Sequence, residues 1–361
     1  MESEKVSISL ITGFLGSGKT TVINHLLTTP AMAKTVVLVN EFGQISIDGD
    51  LIRRSDDTVI ELKNGCVCCS LNDDLGTTLH QFIEQRRSGE LPAFEKVLIE
   101  TTGLANAGPV VQVILSDPLV RDDYRLGKVI TAVDTVHGVT NLNIHAESVE
   151  QVAIADRLIL TKLDRQETEK ERAQVDELRA RLAKLNPSAP ILEADRGRVN
   201  AHILFAEDPG EELVRYTDPS IWAADRHDHD HSDGHGHAHA HPPAPPQGDG
   251  GSTVGFQTHR HDHHIKSFCI VRDEPVALDA LQRFWAELAD DAGLNLLRVK
   301  GLVNVCERPD TPAVVQGVRQ SFDDVEWLPA WPSDDRTTRL VFIGWMLDEG
   351  LVRQLLGETR P

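Results

Sequence analysis

Residues 6–20 read VSISLITGFLGSGKT, and they set the architecture of the chain. Residues 6–11 form a short apolar run with β-branched side chains, which is typical of a strand, and a helical pattern begins near residue 19. Between them, residues 13–20 complete the glycine-rich pattern G-x-x-x-x-G-K-[S/T]. A strand, a glycine-rich loop and a helix in this order are the context that a phosphate-binding loop requires, and we predict such a loop here.

The chemistry of this loop follows from its residue types. Its glycines allow successive backbone N–H groups to turn inward around the β- and γ-phosphates of a nucleotide, and the helix start adds a positive end. Lys19 supplies a cation, and we expect the Thr20 hydroxyl to coordinate Mg²⁺. The predicted nucleotide and magnesium contacts are Gly13, Gly16, Ser17, Gly18, Lys19, Thr20 and Thr21, and Lys19 and Thr20 are also assigned to catalysis.

Outward from this loop, apolar strand patterns alternate with helical patterns over the first two hundred residues. This alternation predicts an α/β domain with a mostly parallel sheet and helices on both faces. Ligands of such sheets bind at the carboxyl ends of the strands. The predicted strands are 6–11, 35–39, 59–62, 96–100, 129–133, 158–160 and 189–192, and the predicted helices lie near 19–27, 73–87, 109–115, 148–153 and 166–184.

The length of 361 residues predicts two domains. We assign residues 1–215 to the α/β domain, 216–264 to a flexible linker rich in histidine, proline and glycine, and 265–361 to a smaller α+β domain. In the smaller domain the sequence predicts strands at 265–271, 296–299, 302–306 and 339–343 and a helix near 278–289.

Composition and charge exclude several classes of partner. The formal net charge of −20 argues against nucleic acid or an anionic membrane as the main partner, because phosphate groups would be repelled. We see neither a signal-peptide pattern nor a run of eighteen apolar residues. Three of the five cysteines lie within four positions, which does not resemble a disulfide framework. These features predict a cytoplasmic protein that handles cations.

The segment TKLD, residues 161–164, indicates which nucleotide the loop holds. An aspartate at position 164 can accept hydrogen bonds from guanine N1–H and the exocyclic amine, while the stem of Lys162 covers the base. Adenine would leave this carboxylate without a donor, so Asp164 discriminates against it. Thr161 stands where asparagine is common in guanine-specific proteins. The alternative is a solvated Lys/Asp pair at the end of a strand.

Acidic residues at strand ends are candidates to hold the metal ion or the attacking water in phosphoryl transfer, and Glu100 is assigned to catalysis together with Lys19 and Thr20. Glu100 ends the apolar strand at 96–100, and Gly103 follows it closely enough for its backbone to approach the γ-phosphate. A second segment runs from Glu41 to Asp48 and has the features of a switch loop. We favour Glu100 over Asp48 and Glu41. Since no arginine or glutamine can be singled out for the transition state, we expect slow intrinsic hydrolysis.

The segment GCVCC, residues 65–69, offers Cys66, Cys68 and Cys69 to a metal. Three thiolates at this spacing can bind Zn²⁺ at about 2.3 Å, and a helix N-terminus after them favours the thiolate form. Structural zinc sites usually have four protein ligands, so a set of three suits a metal that must be released. A redox dithiol and a structural or adventitious metal site are the alternatives.

GFLGSGKT, VNEFG, NGCVCC, ETTGLA, TKLD and the later IKSF together resemble the CobW-type GTPases, in the nickel- and cobalt-insertion branch of the P-loop GTPases. The resemblance implies a metallochaperone that hydrolyses GTP, carries zinc or, in some branches, cobalt or iron, and rearranges its cysteine loop when GTP binds. Gln44 stands where many members have a glutamate. The N-terminal segment is shorter than the partner-docking segment of eukaryotic members, so their aminopeptidase client is not assumed.

Eleven of the sixteen histidines lie between residues 227 and 264. Interleaved with Asp and Gly, they predict a weak, multi-site metal buffer rather than a site of fixed geometry, and a merely solvated linker is the alternative. The leading hypothesis is a GTP-driven zinc chaperone that delivers metal to an apo-metalloprotein. Alternatives are cobalt delivery for cobalamin synthesis, metal insertion into a nitrile hydratase, a non-catalytic zinc buffer and a small-molecule kinase; a homodimer is also considered. The buffer residues are His227, His229, His231, His235, His237, His239 and His241.

Overall fold

The computed structural model of the chain describes residues 5–39, 71–206, 265–291, 295–322 and 325–357. Within these ranges the chain forms two six-stranded sheets with helices packed against them. The elements of the first sheet and its helices are β1 (Val6–Thr12), α1 (Lys19–Leu26), β2 (Thr35–Val39), α2 (Leu71–Ser88), β3 (Lys96–Glu100), α3 (Gly108–Ser116), α4 (Pro118–Arg121), β4 (Tyr124–Asp134), α5 (Gly138–Ile144), α6 (Ala146–Ala153), β5 (Arg157–Thr161), α7 (Glu169–Leu185), β6 (Ile191–Glu193) and α8 (Ala201–Leu204).

The first sheet is parallel throughout, with the strand order β2-β3-β1-β4-β5-β6. Every residue of β1 and β5 is buried, as expected for central strands that are covered by helices on both faces. The strands predicted at 35–39 and 96–100 agree with β2 and β3 in both bounds. The strand predicted at 59–62 lies outside the described residues.

Helix α7 begins later than its sequence pattern predicts. The helical pattern begins at residue 166, whereas the helix begins at Glu169. Thr168 caps it: its hydroxyl accepts from the Glu171 backbone N–H, and the Glu171 carboxylate accepts from the Thr168 N–H. This capping box fixes the start of the helix more firmly than hydrophobic periodicity does.

The second sheet is antiparallel, with the order β10-β9-β8-β12-β7 and β11 paired to β9. The two helices of this part pack their apolar sides around Phe284 and Phe342. The elements are β7 (Ile265–Arg272), α9 (Leu278–Asp291), β8 (Leu296–Val303), β9 (Ala313–Val318), β10 (Ser321–Phe322), β11 (Glu326–Trp327), β12 (Thr338–Trp345) and α10 (Glu349–Leu355).

The prediction of separate strands at 296–299 and 302–306 is wrong, because β8 is one continuous strand. Gly301 lies between the two predicted segments. In the structure Gly301 pairs with Val315 and Leu340, and a Cβ built on it would lie 2.0 Å from the Arg339 carbonyl oxygen. This glycine therefore allows close approach of β12 instead of ending the strand.

One buried apolar cluster includes residues of both sheets. Leu297, Val341 and Ile343 of the second sheet belong to the same apolar cluster as the strands and helices around β1 and α3. Beside this core the carboxylate of Asp156 accepts from Arg298 Nη2 at 2.6 Å and from Lys300 Nζ at 3.1 Å. Apolar packing and buried ion pairs therefore hold the second sheet against the first.

Within the parts of the chain that the structure describes, no helix is long and apolar enough to cross a membrane.

Candidate functional site

The glycine-rich loop lies between β1 and α1 at the carboxyl edge of the parallel sheet. Gly13, Gly16 and Gly18 have φ values of 137°, 69° and 92°, in the region that favours glycine. Gly13 also has no room for a side chain, because a Cβ there would lie 2.3 Å from the Ala132 carbonyl oxygen. The glycines of the predicted phosphate loop are therefore required by its backbone path.

Lys19 points back into this loop. Its ammonium group donates to the carbonyl oxygen of Gly13 at 2.8 Å and to that of Phe14 at 3.3 Å, and the side chain is buried. A buried cation surrounded by backbone turns is suited to an anionic ligand with several oxygens. The structure thus brings the predicted phosphate-binding lysine to the interior of the loop.

Thr20 and Glu100 come together although eighty positions separate them in the sequence. The Thr20 hydroxyl donates to Glu100 Oε1 at 3.0 Å, and Glu100 is only 3% exposed. The neighbouring strands explain the proximity, because β1 pairs with β3 and Ile11 lies opposite Glu100. A hydroxyl and a carboxylate are hard oxygen donors of the kind that Mg²⁺ prefers, so this pair fits the predicted magnesium site.

The loop after Glu100 packs on the phosphate loop. A Cβ built on Gly103 would lie 2.5 Å from the backbone nitrogen of Leu15. Thr101, two residues earlier, donates its hydroxyl to that of Thr12 at 2.9 Å. The Gly103 backbone is therefore adjacent to the phosphate loop, as the γ-phosphate role predicted for it requires.

The TKLD segment contacts the phosphate loop directly. The Thr161 hydroxyl donates to the Ser17 carbonyl oxygen at 2.6 Å. Asparagine is common at this position, but the threonine hydroxyl supplies a hydrogen bond of its own. Asp164 lies in the 3₁₀ turn Leu163–Arg165 and is exposed, so its carboxylate is available to a base.

Sequence reasoning missed Asp134, which holds Lys162. Lys162 has φ 60° and ψ 26°, a left-handed conformation that is uncommon outside glycine. Its ammonium group lies 2.5 Å from Asp134 Oδ2, while Asp134 Oδ1 accepts from the Val136 N–H at 2.7 Å. A carboxylate at the end of a strand next to β5 was the available signal.

Thr21, also predicted at the nucleotide site, lies in α1 and is exposed. The other predicted site residues not yet placed lie outside the described residues. These are Asp48, the three clustered cysteines and the histidines of the linker, in the segments 40–70 and 207–264. In the described ranges, no group of three or more His, Cys, Asp or Glu side chains is arranged to hold a metal. Cys269 is buried and Cys306 is exposed. The cysteine-based metal site therefore remains a prediction from the sequence.

Comparison with known proteins decides the family. Residues 7–193 match the family described as CobW/HypB/UreG, nucleotide-binding domain, and residues 265–360 match the cobalamin synthesis protein cobW C-terminal domain. The chain belongs to the CobW family. Both parts of the family's architecture are present, and the resemblance noted from the sequence motifs is confirmed.

Relatives within the CobW family match along nearly the whole chain. The zinc chaperone YjiA of Escherichia coli is 30% identical, with 98% of this chain and 99% of YjiA covered. The zinc chaperone CobW of Pseudomonas aeruginosa is also 30% identical, over 98% of this chain and 91% of that protein. The crystal structure of Zn(II)-bound YjiA GTPase superposes with a TM-score of 0.64 over 99% of this chain and 100% of that chain, at 24% identity. The two share a fold, and the predicted fold class is confirmed.

Proposed function

We propose that this chain is a GTP-hydrolysing metallochaperone that binds zinc and transfers it to an apo-metalloprotein. The observation that carries the nucleotide half is the Thr20–Glu100 pair at 3.0 Å beside the buried Lys19. The names of the relatives YjiA and CobW, both zinc chaperones, support the metal half.

In this proposal the phosphate loop binds and orients the triphosphate. Backbone N–H groups of residues 13–20 surround the phosphates, and the Lys19 ammonium exchanges its contacts with Gly13 and Phe14 for phosphate oxygens. Thr20 and Glu100 would hold Mg²⁺, which when bound neutralises charge on the phosphates. Gly103 is close enough to the loop for its N–H to meet the γ-phosphate.

Guanine selection belongs to Asp164. Its exposed carboxylate would accept from guanine N1–H and the exocyclic amine, while Asp134 fixes the ammonium of Lys162 so that its stem can cover the base. The hydrogen bond from Thr161 to Ser17 sets the distance between the base site and the phosphate site. Adenine would leave a carboxylate without a donor, which disfavours ATP.

The metal half rests on Cys66, Cys68 and Cys69, with the linker histidines as a weaker reservoir. These cysteines belong to the stretch of sequence between β2 and α2. The last described residue before this stretch, Val39, pairs with Glu100 of the nucleotide site. Thiolates favour zinc among common metals, although cobalt is an alternative cargo because affinity orders alone do not select the metal.

The test is nucleotide turnover by the full chain, with and without one equivalent of Zn²⁺. We expect slow hydrolysis of GTP, little hydrolysis of ATP, and a change on adding Zn²⁺. Replacing the three cysteines with serine should abolish the effect of zinc and leave the basal GTP turnover.

Three results would contradict the proposal. Preference for ATP would favour a kinase or an ATPase. Absence of nucleotide turnover together with retained zinc binding would favour a passive buffer. If Zn²⁺ changes GTP turnover equally in the serine variant, the cysteines do not take part in the mechanism. Lys19→Ala is the control variant, which should abolish turnover itself.

A further inference from the structure

Helix α6 lies between the loop that follows Glu100 and the second sheet. It is anchored to the parallel sheet by the Thr131 hydroxyl, which donates to the Gln151 carbonyl oxygen at 2.6 Å. Two consecutive residues of this helix, Glu150 and Gln151, contact different parts of the molecule. Neither belongs to the nucleotide-binding motifs, and the proposed chemistry does not use them.

Gln151 holds the loop that carries Gly103. Its side-chain nitrogen donates to the carbonyl oxygens of Gly103 and Ala105, both at 3.2 Å, and the side chain is 1% exposed. The loop also closes on itself, because the Ala105 N–H donates to the Thr102 carbonyl oxygen. Gln151 therefore holds the backbone of Gly103 in position through these hydrogen bonds.

Glu150 joins the same loop to the second sheet. Its Oε2 accepts from Asn106 Nδ2 at 2.8 Å and from Arg319 Nη2 at 2.9 Å, and its Oε1 accepts from Trp345 Nε1 at 3.0 Å. Arg319 lies in the turn between β9 and β10, and Trp345 ends β12. One carboxylate thus connects three segments that are distant in the sequence.

Direct contacts reinforce this connection. The Asn106 side chain also accepts from the Gly108 N–H at 2.8 Å, at the start of α3. A Cβ on Gly108 would lie 2.8 Å from Arg319 Nε, so the turn of the second sheet is seated against this loop. A few residues further along each segment, the hydroxyls of Ser116 and Ser321 lie 3.2 Å apart.

We propose that Glu150 and Gln151 transmit a structural change to the second sheet when a γ-phosphate binds beside Gly103. Gln151 is a positioning residue for Gly103, and Glu150 passes a shift of this loop to Arg319 and Trp345. The inference rests on the proposed GTP-binding function. GTP offers the Gly103 N–H an acceptor that GDP lacks, and only such a differential contact can shift the arrangement of the loop.

The test is hydrogen–deuterium exchange of the full chain with Mg²⁺ and either GDP or a non-hydrolysable GTP analogue. In the wild type we expect the two nucleotides to give different exchange in residues 101–107, 318–322 and 343–347. In Glu150→Gln the difference at 101–107 should persist, and the difference in the two segments of the second sheet should fall by at least about half. Glu147→Gln, an exposed site on the same helix, is the matched control.

The second measurement concerns Gln151. The Gln151 side chain supports the loop that carries Gly103. We therefore expect Gln151→Asn to weaken binding of the GTP analogue about fivefold, which is the effect of losing one hydrogen bond. The affinity for GDP should stay within twofold of the wild type. A merely structural role would lower both affinities together. A larger loss of affinity for the GTP analogue than for GDP supports the positioning role of Gln151. An equal loss of affinity for both nucleotides overturns that role.

Failure of this inference is distinguishable from failure of the proposed function. If the GTP analogue binds and protects the phosphate loop but residues 318–322 and 343–347 exchange alike in both nucleotide states, the connection is overturned and GTP binding stands. Full retention of the difference in Glu150→Gln also overturns it. If no guanine nucleotide binds, the proposed function and this inference fall together.

Discussion

At the residue scale, the site depends on hydrogen bonds between side chains that are far apart in sequence. Thr20 meets Glu100, and Lys162 meets Asp134, each across the carboxyl edge of the parallel sheet. Only the residue types and their positions at strand ends are visible in the sequence. The partner of each residue is set by which strands are neighbours.

The first prediction concerns Glu100. Glu100→Gln keeps the shape of the side chain and removes the charge that the proposed magnesium site requires. We expect kcat for GTP to fall by about 10² or more, since electrostatic groups at reacting phosphates have effects of that order. The measurement is GTP turnover by the variant and by the wild type. The GDP affinity of the variant serves as the control for correct folding. Turnover within threefold of the wild type would remove Glu100 from the site.

The second prediction concerns Thr161. Thr161→Val is nearly isosteric and removes the hydroxyl that donates to Ser17, which leaves a buried carbonyl oxygen without this donor. We expect a loss of about 1–3 kcal/mol in stability, together with weaker binding of GTP and GDP alike. Urea unfolding and nucleotide titration measure the two effects. Thr161→Ser retains the hydroxyl and should behave as the wild type; equal loss in both variants would contradict the role assigned to the hydroxyl.

At the element scale, local patterns determined most of the first sheet. The bounds of β2 and β3 are predictable because each is a short apolar run between polar residues, and Glu100 was correctly placed at a strand end. The two strands predicted on either side of Gly301 are one strand, β8, and nothing in the local sequence reveals that β12 lies directly against this glycine. The short strands β9–β11 lack a strong alternating pattern and were not predicted.

The third prediction concerns the close approach of β12 to Gly301. Gly301→Ala would place a methyl group 2.0 Å from the Arg339 carbonyl oxygen in the present geometry, so β8 and β12 must separate. We expect the free energy of unfolding to fall by about 1–3 kcal/mol, the usual cost of overpacking. Chemical denaturation measures it. Unchanged stability would mean that the two strands tolerate a side chain at this point.

At the scale of the whole molecule, contacts between the two sheets were beyond sequence reasoning. Glu150 and Arg319 are 169 positions apart, and Asp156 and Arg298 are 142 apart. Periodicity shows which face of an element is apolar, but it does not show which other element covers that face. The contacts that the second sheet makes with the first can therefore be identified only from the structure.

The fourth prediction concerns the pH dependence of the stability that the contact between the two sheets contributes through Asp156. Burial alone would raise the pKa of Asp156, but Arg298, Lys300 and Lys128, together with the Val129 N–H, hold it well below its usual range. The stability that Asp156 contributes is therefore complete above the unfolded-state pKa of about 3.9 and decreases as the pH falls below it. We expect the urea-unfolding free energy of the wild type to decline steeply below about pH 4.

Asp156→Asn tests the assignment. It leaves buried cations without their carboxylate, so we expect a loss of about 3–5 kcal/mol at pH 7 and a shallower decline in acid. Asp176→Asn, at an exposed position on α7, is the matched control and should change neither quantity. An acid limb of unchanged steepness in Asp156→Asn would assign the pH dependence to other groups.

In the proposed function, the nucleotide state of the whole molecule controls its metal binding. The most direct measurement is the Zn²⁺ affinity of the full chain, determined with a competing chelator, in the presence of Mg²⁺ with either GDP or a non-hydrolysable GTP analogue. We expect different affinities in the two states, with the difference abolished when Cys66, Cys68 and Cys69 are replaced by serine. Equal affinities in the two nucleotide states would contradict it, because a ligand without differential affinity shifts no equilibrium.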